Sequence, residues 1–531
     1  MRNLIIWLIC GLGALTIFIL FFSHAFPVAS VDIKIEKDQA VKLAADFIQA
    51  QGFDLHGFDR TIVFDSDYHA SVYLQKTQKI KKSNQLIRSG IPVWFWRIRW
   101  FKELEKEGFI VCVDPASGEI VYFLHRLLED QPGANLAEQR AEGLARDKVT
   151  LQNVDLAAYT LKDSTIEQRK LRTDYSFSWE KRDYQIAEAR LRVDLEIYGD
   201  QLGKYRRYLK VPEEFRRYVR GELAFGRMLA TVTRVLKYVL IILAVFVLFF
   251  KSQQGRADWK IWLSCAGIVG LFDLAYFFNN LPLWWSHYPD TISKTTFITE
   301  AFSQSFTQAL SLGLLVLACG ALGQLSAKDA FESKTPVYHA FKAKRFNSAE
   351  IAPVFVVGYS LGFIFLGYIT LFYLLGARWF DIWIPPKTEY SNIFGMTLPI
   401  LFPLIISLTA AVKEELLYRF FAVTFLGRFL KKRWLSLLIP ALIWGFAHSF
   451  YHVFPTYVRG IELTIFGIVF GLVFLKYGLE TVIIAHFVID AVLAGLPLLR
   501  SHSPYLVGSG VFVIGLAFLP IIALVILRMR K

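Results

Sequence analysis

Glu414 and Glu415 stand side by side in SLTAAVKEELLYRFFAVTFL, an otherwise apolar stretch that also holds Lys413 and Arg419. Farther along, ALIWGFAHSFYH carries His448 and His452, and TVIIAHFVIDAVL carries His486 and Asp490. An ionisable side chain near a bilayer centre costs roughly 2.5–3.5 kcal/mol on insertion scales. Each therefore needs a partner or a wet cavity, and each marks a candidate site. On helices, Glu415 and Arg419 are spaced i,i+4, as are His486 and Asp490, so each pair shares a face. Glu414 points about 100° away from Glu415, with only Lys413 as a local partner. Taken singly these patterns are bland. A Glu–Arg pair at this spacing is common on helices, and a lone buried histidine is usually a satisfied structural group. In order, on three charge-poor segments, they point to one shared site. Carboxylates and imidazoles gathered in one place are the groups of general acid–base chemistry.

Long apolar elements must position these groups. Of 531 residues, 54% are hydrophobic and 16% aromatic, only 20% are charged, and the mean hydropathy is +0.40. That composition suits a polytopic membrane protein. The net charge of +14 fits cationic cytoplasmic loops, and no nucleic-acid partner is expected. No GxxxxGK[ST] phosphate loop is present. Cys10, Cys112, Cys265 and Cys319 form no CxxC pair, which disfavours a disulfide framework or thiolate zinc site.

The first apolar run, Leu4 to Phe22, is long for a signal peptide, and SHAFPVAS is a poor cleavage site, so residues 1–30 are expected to form an uncleaved anchor. Residues 31–228 are polar and read as a mixed α+β domain. IEKDQAVKLAADFIQAQG has helical spacing and ends at Gly52. VWFWRIRWF and GFIVCVDPASGEIVYFLH read as strands around a turn at 114–118. A second set follows in YSFSWEKR and ARLRVDLEIYGDQLGKYRRYLKVPEEF. The region is similar to a pair of PepSY-like modules, small α+β units found outside the membrane; one undivided domain is the alternative. Residues 229–345 hold three further spans and a basic loop, and 346–531 hold the charged motifs. About ten spans are expected in all: 4–22, 229–250, 259–279, 303–325, 351–376, 395–412 continuing to about 430, 434–451, 460–476, 480–499 and 509–527.

Cations alternate between the loops. Lys251, Arg256 and Lys260 share one loop; Lys328, Lys334, Lys342, Lys344 and Arg345 another; Arg428, Lys431, Lys432 and Arg433 a third; Arg528, Arg530 and Lys531 end the chain. The intervening loops hold Lys294, then Arg378 and Lys387, then Arg459. The expectation is a multi-pass plasma-membrane protein with both termini cytoplasmic and the inserted α+β domain outside.

EELLYR (Glu414–Arg419), WGFAH (Trp444–His448) and HFVID (His486–Asp490) resemble the EExxxR, FxxxH and HxxxN/D motifs of the CPBP family. These are the CAAX-prenyl-endopeptidase and bacteriocin-processing intramembrane proteases, also called Abi proteins. The resemblance covers roughly 350–500. Trp444 replaces the usual Phe, keeping an aromatic wall while narrowing the pocket, and Asp490 replaces the commoner Asn. The resemblance implies an intramembrane endopeptidase acting on a membrane-associated or lipid-modified protein or peptide. Glu414 would be the base, sharing the water with His448, while Glu415 holds Arg419. His486 and Asp490 would face the scissile carbonyl. An ionised Asp accepts only, so Asp490 is expected to orient His486, which donates. Glu414, His448 and His486 also form an admissible Zn²⁺ set, with His452 a spare ligand or an outer-interface residue. There is no HExxH motif, and metal-independent chemistry without a required cofactor is the expectation. Two alternatives stand beside the protease: a non-proteolytic membrane scaffold of the same fold, and a transporter using Asp273 in IVGLFDLAYFF as a proton site. The α+β domain is expected to bind substrate or a partner protein.

Overall fold

The computed structural model describes residues 2–26, 31–252, 257–327, 331–343, 348–384 and 392–529. Of the loop cations that set the orientation, Arg256, Lys328, Lys344, Arg345, Lys387, Arg530 and Lys531 lie outside the described residues.

The polar region builds one antiparallel sheet from two similar halves. The first half runs α2 (Lys37–Ala50), β1 (Asp59–Ser66), α3 (Tyr68–Arg88), β2 (Trp94–Phe101), β3 (Gly108–Val113) and β4 (Ile120–Arg126). The second runs α4 (Glu138–Thr150), β5 (Tyr159–Gln168), β6 (Thr173–Ile186), β7 (Ala189–Tyr198) and β8 (Gln201–Lys210). Strand order is β1-β2-β3-β4-β8-β7-β6-β5, so each half adds its strands consecutively and the halves join through their last strands, with Phe123 opposite Tyr205. The alternation of strand side chains sends Trp96, Ile98, Val111, Phe123, Val193 and Tyr205 to one face. That face packs on Ala40, Ala44 and Ile48 of α2 and Ala141, Ala145 and Val149 of α4. Local signals agree with this. Gly52, just past α2, has φ +89°, a conformation natural to glycine after a helix. In the 114–118 turn, Asp114 accepts from the backbone N–H groups of Ala116 and Ser117.

The membrane part begins with α1 (Arg2–Ala25). After the sheet come α5 (Glu213–Ser252), α6 (Trp259–Asn279), α7 (Lys294–Ala327) and α8 (Ser348–Trp379). α9 starts at Leu401–Glu414, continues as a π-helix over Glu415–Val423 and ends in Thr424–Phe429. α10 (Arg433–Phe446), α11 (Tyr457–Tyr477), α12 (Leu479–Gly495) and α13 (Pro504–Met529) complete it. Every expected span region is helical in most of its length, and among the described residues seven helices are long and apolar enough to cross a membrane: α1, α5, α6, α7, α8, α11 and α12. The span expected over 395–412, running on as helix to about 430, starts only at Leu401, after a short turn of helix at Asn392–Gly395, and the α-helical hydrogen bonding beyond Glu414 is interrupted by the π segment. The α10 span stops at Phe446, where the chain closes turns from His448 N–H to Gly445 and from Tyr451 N–H to His448. The boundary read at 228 falls inside α5, which starts at Glu213; Arg216 and Arg220 both pair with Glu213 and keep the helix going above its apolar part.

α1 is built into this core. It lies along α8 where small residues allow close approach: a Cβ on Gly11 would come within 2.8 Å of Ser360 Cα, and one on Gly367 within 2.7 Å of the Ala14 carbonyl. The sheet domain seats on one end of the helices. Thr61 donates to the Pro282 carbonyl at 2.7 Å, Arg99 to that of Ser286 at 3.1 Å, and Lys37 to that of Gly395 at 3.0 Å. Lys76 of α3 pairs with Asp381, and Glu222 of α5 accepts from Thr456 N–H. Asp273 meets the Gln308 amide of α7 at 3.3 Å, so the acid weighed as a proton site has a side-chain partner.

Candidate active site

A cavity of about 230 Å³ lies among α1, α8, α9, α10, α11 and α12, lined by Glu414, Trp444, His448, His486 and Asp490 together with a mostly apolar wall. Phe22 and Phe26 bring the first helix and its exit into that wall. Tyr451, Val453 and Arg459, which follow α10, place the cavity towards the end of the bundle that carries the sheet domain.

Glu414 is the last residue of the α-helical part of α9, and Glu415 opens the π-helix. π segments interrupt the helical ladder and recur at functional sites. Here the change of pitch accompanies two adjacent carboxylates with separate surroundings. Glu414 faces the cavity. Its Oε2 accepts from the Trp444 indole N–H at 2.6 Å and lies 4.0 Å from both His448 Nε2 and His486 Nε2. Lys413 Nζ is 3.8 Å from its other oxygen. Glu415 is fully buried. Its Oε1 accepts from Arg419 Nη1 at 3.1 Å and sits 2.8 Å from His486 Nδ1.

The second contacts of the histidines fix their ring orientation. His448 Nδ1 is 2.7 Å from the Trp444 carbonyl, which can only accept, so Nδ1 carries the proton and Nε2 faces Glu414. His486 Nδ1–H likewise donates to Glu415, turning Nε2 towards Glu414 and towards Asp490 Oδ2 at 3.5 Å. A water between Glu414 and either imidazole, with legs of about 2.8 Å, accommodates a 4.0 Å separation at a bridging angle of about 90°.

The six residues singled out in the sequence thus lie in one network: Glu414, His448, His486 and Asp490 line the cavity, and Glu415 and Arg419 stand behind it. Two assignments change. Orientation of His486 was expected from Asp490; the shorter contact, at the other ring nitrogen, is to Glu415. Trp444 was expected only to narrow the pocket. Its N–H instead holds Glu414, a contact Phe cannot make, while the Arg419 guanidinium stacks 4.2 Å from the indole centroid. His452 is apart from the network, its ring 4.8 Å from that of Tyr68 in the sheet domain.

Sequence reading missed Glu462 and misplaced Arg459. Arg459 was counted as a loop cation; it lines the cavity and pairs with the fully buried Glu462 at 2.7 Å. An acid inside the apolar run of α11 was the available signal.

A zinc ion would require closer donors. Tetrahedral bonds of about 2.0–2.1 Å place ligand atoms roughly 3.3 Å apart, against 4.0 Å from Glu414 Oε2 to each imidazole. No group of three His, Cys, Asp or Glu among the described residues is arranged to hold a metal ion. Both separations are longer than a shared tetrahedral site asks for.

The family profile of type II CAAX prenyl endopeptidase Rce1-like proteins matches residues 396–492, a stretch that contains all six site residues. The chain is also similar to the sporulation-killing factor biosynthesis protein SkfC of Bacillus subtilis (strain 168), with 23% identity over 522 residues, covering 93% of this chain and 95% of that protein. No solved structure matches.

Proposed function

We infer, from a polytopic membrane protein whose residues 396–492 match the profile of Rce1-like CAAX prenyl endopeptidases, that the cavity hydrolyses a peptide bond of a membrane-associated protein or peptide. The observation that carries this reading is one carboxylate oxygen, Glu414 Oε2, equidistant at 4.0 Å from two imidazole nitrogens on the wall of a mostly apolar cavity. Water held between Glu414 and His448 attacks the carbonyl carbon while Glu414 takes its proton. The oxyanion that forms accepts from His486 Nε2–H, the ring acting as an imidazolium whose Nδ1–H stays on Glu415. As the intermediate collapses, Glu414 returns the proton to the leaving amine, so protons balance over the cycle. Glu415 and Arg419 hold the geometry from behind. No step is routed through a metal.

In this reading the sheet domain lies outside the membrane, both termini lie in the cytoplasm, and the substrate enters from the end where the sheet domain seats. The test is comparative proteomics of membranes from cells carrying the wild type or Glu414→Gln. Proteins that persist uncut only in the variant support hydrolysis; indistinguishable membrane proteomes count against it and favour a scaffold of the same fold.

A further inference from the structure

Arg459 and Glu462 sit in the first turns of α11, spaced i,i+3, where the chain returns from the α10 end; Arg459 lines the cavity and Glu462 stands behind it. Glu462 is fully buried, and its two oxygens accept from a single guanidinium nitrogen, Arg459 Nη1, at 2.7 and 2.8 Å. Tyr373 of α8 donates to Glu462 Oε2 and lies 3.4 Å from the same Nη1, and Tyr368 donates to the Glu462 carbonyl at 3.1 Å. A buried ion pair of this kind is rarely worth more than apolar packing of the same volume, so stability alone does not account for it.

The geometry shows what is left over. All the contacts converge on Nη1. Arg459 Nη2 has no acceptor among the described residues, and Nε is buried without one. The side chain therefore offers a rigidly held N–H donor in a largely apolar cavity. Its charge is already balanced by Glu462, so the complementary group is a neutral acceptor, such as an amide carbonyl.

Its place relative to the chemistry follows from Tyr451. That ring lies 5.8 Å from the Arg459 guanidinium and 5.5 Å from the His448 ring, so Arg459 is no more than about 11 Å from His448. An extended peptide advances about 3.3 Å per residue. That separation is at most about three residues.

We propose that Arg459 binds substrate, donating through Nη2 to a main-chain carbonyl within about three residues of the scissile bond, with Glu462 and Tyr373 as its positioning residues. This rests on the hydrolytic reading of the cavity, and it adds an extended backbone as the recognised feature of the substrate.

The test uses the full-length chain in detergent. Synthetic peptides selected for binding to the Glu414→Gln protein are remade with an alkene in place of one amide at a time, removing a carbonyl, and their affinities are measured by fluorescence anisotropy. One position is expected to weaken binding about tenfold, a typical value for a hydrogen bond to a charged donor. That penalty should vanish in a Glu414→Gln background carrying Arg459→Met with Glu462→Met, which removes the pair without stranding a charge. It should also vanish with Arg459→Lys, which keeps Glu462 neutralised. Peptides that the wild type cuts should show the same position in KM, with kcat little changed. A penalty at no position, one that persists in both variants, or a failure to bind any peptide would overturn the assignment. Cleavage without dependence on Arg459 sinks the assignment and spares the hydrolytic reading. Arg459-dependent binding without cleavage by the wild type does the reverse.

Discussion

Replacing Glu415 by Gln removes one charge from a place with no water to compensate. Glu415 is fully buried and Arg419 nearly so, with the guanidinium 3.1 Å from the carboxylate. Gln keeps an amide oxygen to accept from Arg419 and from His486, so the loss is mainly electrostatic. At an effective dielectric of about 20, unit charges at this separation interact by about 5 kcal/mol, and breaking buried pairs by removing one partner costs about 3–5 kcal/mol. Against a typical total stability of about 5–15 kcal/mol that is severe. Glu415→Gln should accumulate poorly in membranes and melt lower in detergent by on the order of 5–10 °C. Adding Arg419→Met removes the stranded cation and should recover much of the loss, because apolar replacement of a buried pair is close to neutral. The assay is thermal unfolding of the two variants and the wild type, with cleavage measured on the same samples. A Glu415→Gln protein as stable as the wild type yet inactive would refute the reasoning, since Glu415 would then be the base and not the support.

Further outcomes follow from the same contacts. Trp444→Phe keeps the aromatic wall but loses the N–H donor to Glu414; kcat should fall roughly ten- to a hundredfold with little change in folding, as for a hydrogen bond to a charged group worth about 1.5–3 kcal/mol. Purified protein should keep its cleavage rate in chelator, with no stoichiometric zinc by elemental analysis; loss of activity restored by Zn²⁺ would reinstate Glu414, His448 and His486 as ligands. Reporter fusions within 40–220 should read outside the cell and fusions after Lys531 cytoplasmic, and the opposite pattern would invert the topology.

Much of the site was legible because charge is conspicuous in apolar sequence. Glu414, Glu415, His448, His486 and Asp490 stand out where each ionisable group is costly, and the Glu415–Arg419 contact follows from helical spacing. Contacts between helices were not legible. The Glu415–His486 hydrogen bond joins residues 71 positions apart, and no periodicity encodes it. The Trp444 N–H to Glu414 was hidden by reading the indole as bulk. Arg459 was misread because a cation at a helix start looks like a loop charge until its buried partner is found. The π-helix has no pattern of its own in the apolar spacing, so α9 read as one uninterrupted span. In the sheet domain, β2, β3, β4, β6, β7 and β8 were legible from alternation and turn residues. The joining of both halves in one sheet through β4 and β8 depends on long-range pairing that local sequence does not specify.

The central claim is that Glu414 activates water for hydrolysis. Its most direct test is single-turnover cleavage by purified Glu414→Gln protein of a membrane protein that the wild type cuts. Gln keeps the size of the side chain and an acceptor for Trp444 but cannot take a proton. The account predicts an unchanged melting temperature and unchanged substrate binding, with the rate reduced by on the order of 10²–10⁴; cleavage by Glu414→Gln at close to the wild-type rate would contradict it.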